Sequence, residues 1–137
     1  MSKSILLTDF EYDFQLIGIS SHNKDYRLAW ELNKTFGINL SKEEDVSFAP
    51  KKGDKLSFSM YFHQNLVEEK DVRLISNKTQ GRHLISEKKE ADYFLILYDY
   101  NPYETREMLV KIRKINLVLT AFEIEVDTLK SKESLLF

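Results

Sequence analysis

The nine residues Asp92-Tyr-Phe-Leu-Ile-Leu-Tyr-Asp-Tyr100 limit what this chain can fold into more than any other stretch. Between Asp92 and Asp99 both alternating faces are apolar or aromatic, the pattern of a strand buried on both sides and so of a central strand. The neighbouring segments supply partners for it. Phe14 to Ser20 is a short apolar run that reads as a strand. Residues 46–49 alternate, residues 50–54 (Pro-Lys-Lys-Gly-Asp) form a turn, and residues 55–62 return as a second strand, which predicts an antiparallel hairpin. An acidic bend at 68–71 leads into a strand over Val72–Ile75, Asn77 to Gly81 turns the chain, and Asn116 to Val126 closes it as a long strand.

Two segments carry helical rather than strand periodicity. From about Lys24 to Phe36, Leu28, Ala29, Leu32 and Phe36 fall on one stripe, with Asn23 as expected N-cap and Gly37 at the C′ position. Asn33, Tyr26 and Trp30 widen that apolar arc to roughly 200°, broad for a helix at a protein surface. The second helix opens at Asn101-Pro-Tyr-Glu104, with Asn as N-cap, Pro at the first helical position and Glu at the third. Met108, Leu109, Ile112 and Ile115 form its buried stripe. The predicted order is β-α-β-β-β-β-α-β. That order gives an α+β fold, a mostly antiparallel sheet of five or six strands with both helices on one face, as a single domain over residues 1–137.

Composition narrows the function. Hydrophobic residues make up 42% of the chain and aromatic ones 12%, enough for a sizeable core. Each large side chain buried contributes roughly 1.5–3 kcal/mol. Twenty basic residues oppose 22 acidic ones for a net charge of −2, so the basic footprint of a nucleic-acid binder is missing at whole-chain level. Cysteine is absent, which removes disulfides, thiolate nucleophiles and thiolate metal sites. The first residues show no signal-peptide core, and no apolar run nears the roughly 20 residues that span a bilayer. A cytoplasmic protein with no membrane partner is expected, and no cofactor is implied.

Ile85-Ser-Glu87-Lys-Lys-Glu-Ala-Asp92-Tyr93 resembles the signature of the bacterial IPExxxVDY family, with Ile85, Glu87, Asp92 and Tyr93 in matching positions. Ser86 stands where the motif has Pro and Ala91 where it has Val, so a rigid Pro turn at position 86 is not available. The Leu-Ile-Gly-Ile run at 16–19 and the segment from Leu28 to Asn33 are also similar to that family. The resemblance implies no particular reaction, ligand or partner.

Candidate sites follow from residue chemistry. Glu87 and Asp92 bracket the start of the central strand and invite an acid–base or cation-binding role, against a structural one in which they bond turn and strand amides. Tyr98, Tyr100 and Tyr103, at the strand end feeding a helix N-terminus, are candidates for ligand contact, although no glycines let backbone wrap a phosphate there. Tyr26 and Trp30 are the expected interface pair, to be covered by a partner, a second copy, or the chain's own segments 9–14 or 135–137. His22, His63 and His83 have no metal-ligand spacing, although His63 and His83 could meet across strands.

No catalytic residue is assigned. The leading expectation is a non-catalytic interaction module, either a homo-oligomer or a binder of a protein partner. The alternative is a small-ligand-binding domain or minor enzyme using Glu87, Asp92 and Tyr93. A nucleic-acid patch is expected only if the basic hairpin tip (Lys51, Lys52, Lys55) and the second helix share a face.

Overall fold

The computed structural model describes residues 14–49, 53 and 55–137. Its centre is a six-stranded antiparallel sheet in which β1 (Phe14–Ser20) and β9 (Tyr93–Tyr98) are interior neighbours, second and third from one edge. Outward from β1 lies the edge strand β10 (Thr120–Ile124). Outward from β9 come β6 (Val72–Ser76), β5 (Met60–His63) and the two-residue edge strand β2 (Ser41–Lys42). Register places Ile17 opposite Leu95 and Leu74 opposite Leu95, so one row of aliphatic side chains crosses the sheet.

Both helices, α1 (Asp25–Phe36) and α2 (Pro102–Arg113), cover one face of this sheet. Leu28, Ala29 and Leu32 from α1 and Met108, Leu109 and Ile112 from α2 pack with Ile17, Ile19, Leu74, Leu95 and Leu97. The fold is therefore the α+β arrangement that the sequence predicts, with six mostly antiparallel strands and two helices, although β2 rather than the predicted strand at 46–49 follows the first helix in the main sheet. The second face is covered without helices. Phe94 and Ile96 of β9 meet Leu56 and Phe58 of a side hairpin, Ile85 of the signature turn, and Leu129 and Leu135 of the C-terminal segment. A strand apolar on both faces is thus satisfied from both sides.

Four local expectations change in detail. Residues 55–62 do not make one strand. They break at Ser59 into β4 (Leu56–Phe58), which pairs with β3 (Val46–Phe48) off the main sheet, and β5, which joins it. The break lets Phe58 reach the second-face core while β5 pairs with β6. The closing strand is shorter than 116–126 because residues 116–119 are a turn, and Val126–Thr128 winds into a 3₁₀ turn. The first helix is capped at Lys24 with no side-chain bond. Asn23 is engaged elsewhere: its amide donates to Ser21 Oγ at 3.2 Å and its carbonyl accepts the Tyr93 hydroxyl at 2.7 Å. The histidines do not meet. His63 Nδ1 accepts the Asn39 amide at 3.0 Å, whereas His83 lies in β8 (Arg82–His83), paired only with β7 (Lys78–Thr79).

Helix ends otherwise follow their sequence signals. Gly37 adopts φ 65° and its amide closes α1 on the Asn33 carbonyl at 2.8 Å. At α2, Asn101 Oδ1 accepts the Glu104 amide at 2.7 Å and Glu104 Oε1 accepts the Asn101 amide at 3.0 Å, a full capping box.

Candidate functional site

The signature segment is a loop wound around one buried side chain, Asn77. Its carboxamide oxygen accepts the Ile85 amide at 2.7 Å. Its amide nitrogen donates to the carbonyls of Lys88 at 3.0 Å and Ala91 at 2.9 Å, and lies 3.4 Å from that of Ile85. Main-chain bonds add to this: the Asn77 amide donates to the Asp92 carbonyl at 2.8 Å, and the Leu84 amide to the Asn77 carbonyl at 2.9 Å. Asn77 is fully buried, so these bonds satisfy its own polar groups where water cannot reach them. Sequence reasoning read Asn77 only as the start of a turn. An Asn beside a Gly-containing turn carries no signal that its side chain faces inward.

The four signature residues have four separate structural duties. Ile85 is fully buried in the second-face core. Glu87 reaches the C-terminal segment, accepting the Lys130 amide at 2.5 Å, the Ser131 amide at 2.9 Å and the Ser131 hydroxyl at 2.9 Å. Desolvation pulls the Glu87 carboxyl upward, but the Ser131 amide, its own amide, the Ser131 hydroxyl and the Lys130 amide outweigh that and hold it below the usual carboxylate value. Asp92 turns to the end of β1: Oδ2 accepts the Ser21 amide at 2.8 Å, and Oδ1 pairs with Lys78 at 2.6 Å. Tyr93 is buried and spends its hydroxyl on the Asn23 carbonyl. Burial first, then the charges of Asp25 and Asp92, push that hydroxyl up to about 12. The two carboxylates thus serve different chain segments. Ser20 Oγ also donates to the Glu90 carbonyl, a further tie between β1 and the loop.

The three other tyrosines part company. Tyr98 lies on the second face, 5.9 Å from the Phe14 ring, with its hydroxyl accepting Arg73 Nε at 3.1 Å. Arg73 was not singled out by sequence, yet its guanidinium sits 4.4 Å from the Phe62 ring centroid and 5.4 Å from that of Phe137. Tyr100 packs on the helix-face core beneath the Lys70 amine, which also pairs with Glu104. Tyr103 is exposed.

Tyr26 and Trp30, one turn apart on α1, are 58% and 57% exposed. Leu135 belongs to the core on the opposite face of the sheet and Phe137 stacks on Arg73, so the C-terminal segment does not cover them. Residues 9–13 of the other expected cover lie outside the described residues. The Lys34 amine rests 5.2 Å above the Trp30 ring.

Among the described residues, no group of three or more His, Asp or Glu side chains gathers as a metal site, and no buried side-chain N or O atom lacks a hydrogen-bond partner. A recess of about 200 Å³ lies along β1 and β10, lined by Gln15, Glu123, Glu125 and Asp127 among others, away from the signature loop. Leu56 and Phe58 of the hairpin strand pack on one side of the sheet and α2 on the other, while Lys51 and Lys52 of the hairpin tip lie outside the described residues. No helix among the described residues is long and apolar enough to cross a membrane. No family model, curated protein or solved structure matches the chain.

Proposed function

We propose that this chain is a non-catalytic cytoplasmic interaction module that meets another protein, or another copy of itself, through the α1 face carrying Tyr26 and Trp30. The observation that carries the reading is a tryptophan and a tyrosine one helical turn apart, each more than half exposed. Trp and Tyr are the residue types that most often dominate protein–protein contacts. An exposed pair of large aromatic rings is apolar surface that a partner would remove from water.

The signature residues support the same reading by what they leave over. The carboxylates of Glu87 and Asp92 and the hydroxyl of Tyr93 are each engaged by main-chain groups or by Lys78. Glu87 serves Lys130 and Ser131 while Asp92 serves Ser21 and Lys78, so the two carboxylates tie different segments of the chain, which supports a structural role. If the chain belongs to the IPExxxVDY family, as Ile85, Glu87, Asp92 and Tyr93 suggest, its signature then marks a structural hub.

The test is a tagged pull-down from native lysate, quantified by mass spectrometry, with molar mass by light scattering and Trp30→Glu run alongside. The reading expects a stoichiometric partner, or a mass above that of one chain, that the variant loses while staying folded. Unchanged partners and unchanged mass in Trp30→Glu would remove it.

A further inference from the structure

The Trp30 face carries charge as well as apolar surface. Around the two rings on α1 the exposed charged positions are Lys24, Arg27 and Lys34, whereas the two acids of this helix, Asp25 and Glu31, are half-buried. None of the ion pairs found among the described residues involves Lys24, Arg27 or Lys34. The second helix covers the same sheet face and adds exposed Arg106, Lys111 and Lys114 against exposed Glu107, its other acid Glu104 being paired with Lys70. The whole chain carries a net −2, so positive charge is concentrated on the helical layer.

An apolar centre ringed by cations selects its occupant. Two copies meeting through α1 about a two-fold axis would set the patch carrying Lys24, Arg27 and Lys34 against the same cationic patch of the other copy, and facing like charges are costly. A partner with carboxylates around an apolar centre meets no such repulsion and gains steering toward the site. Single-stranded nucleic acid is also anionic, but it holds to aromatic residues by stacking on open ring faces. One face of the Trp30 ring is already taken by the Lys34 amine.

We propose that the Trp30 face docks an acidic protein segment, whose aliphatic or aromatic side chains cover Tyr26 and Trp30 and whose Asp or Glu residues face Lys24, Arg27 and Lys34. This names the partner chemistry of the interaction reading and rests on it.

Trp30 is the single tryptophan of the chain, so its emission reports its own burial. The full chain would be titrated with a synthetic peptide of Glu and Leu, with the same peptide carrying Lys for Glu, and with oligothymidylate. The expected result is a blue shift with the Glu/Leu peptide alone. Its affinity should fall about tenfold or more when Lys24, Arg27 and Lys34 are all changed to Glu, and fall again as salt is raised. These positions are exposed, and circular dichroism of the triple variant checks that the fold is kept.

No shift with the Glu/Leu peptide, an equal shift with the Lys peptide, or indifference to the charge reversal would overturn the proposal. So would a larger response to oligothymidylate, or a concentration-dependent shift of the chain alone, which marks a second copy as the occupant. The interaction reading survives these outcomes and falls only if Trp30→Glu also leaves partner capture and mass unchanged.

Discussion

Asn77 grips Ile85 by both ends of its peptide unit, accepting its amide at 2.7 Å while the Asn77 amide nitrogen lies 3.4 Å from its carbonyl oxygen. Asn33 does the same to Leu40, accepting its amide at 2.7 Å and donating to its carbonyl at 3.3 Å. In both places one carboxamide replaces a strand neighbour for an aliphatic residue that must enter the core without a ladder to join. Asn suits this role because it is the shortest side chain offering an acceptor and two donors together.

Truncation of Asn77 should therefore be severe. Asn77→Ala leaves the Ile85 amide and the Ala91 carbonyl buried without their side-chain partner, at about 1–3 kcal/mol each before relaxation, while the Lys88 carbonyl keeps the Ala91 amide. A net loss of about 3 kcal/mol or more is expected from urea unfolding. Asn77→Asp should be no better, since it removes the donors and buries a charge.

Glu87 should give the stability a mild acid dependence. Its carboxyl sits lower in the folded than in the unfolded chain. Its contribution is therefore fully present above the unfolded value, near 4.3, and is lost as pH falls through the folded one. Glu87→Gln should cost about 0.5–1 kcal/mol at neutral pH, modest because the side chain is exposed, and nothing further in acid. Urea midpoints of wild type and variant measured at neutral pH and in acid should converge in acid.

Gly18 is reserved for Phe122. A Cβ at position 18 would fall 2.8 Å from two ring carbons of Phe122 and 3.0 Å from Ile124 Cδ1. Gly18→Ala should destabilise by about 1–2 kcal/mol through displacement of the half-buried ring. In a Phe122→Ala background most of that penalty should vanish, and a double-mutant cycle measures the difference.

The tip of the β7–β8 hairpin should accept improvement. Gln80 and Gly81, the two residues between the strands, have φ of 47° and 73°, the paired left-handed conformation of a type I′ turn. Gln strains there where Asn does not. Gln80→Asn should raise stability by about 0.5 kcal/mol, and Gly81→Ala should lower it, both read by thermal melting.

The sequence carried the architecture because its strongest signals are local and unambiguous. The double-faced apolar run ending at Tyr98 fixes a central strand, and Asn101-Pro102 with Glu104 fixes a helix start. What it could not carry depends on where chain segments meet. The break at Ser59, the Asn77 hub and the seat of Ser131 on Glu87 join residues up to 44 positions apart, and no spacing rule announces them. The roles of Glu87 and Asp92 were not legible, because a carboxylate that bonds amides and one that moves protons look alike in sequence. Tyr26 and Trp30 were legible from helical phase alone, since a wide apolar arc on a helix that buries only one stripe leaves its flank in water.

We propose that the Trp30 face makes contact with a partner while the loop around Asn77 holds the fold. The most direct measurement is partner binding by immobilised wild type, Trp30→Glu and Glu87→Gln from the same lysate, each with its unfolding midpoint. Trp30→Glu is expected to lose the partner at unchanged stability, and Glu87→Gln to keep the partner at reduced stability. Retention of the partner by Trp30→Glu together with its loss in a still-folded Glu87→Gln would contradict it.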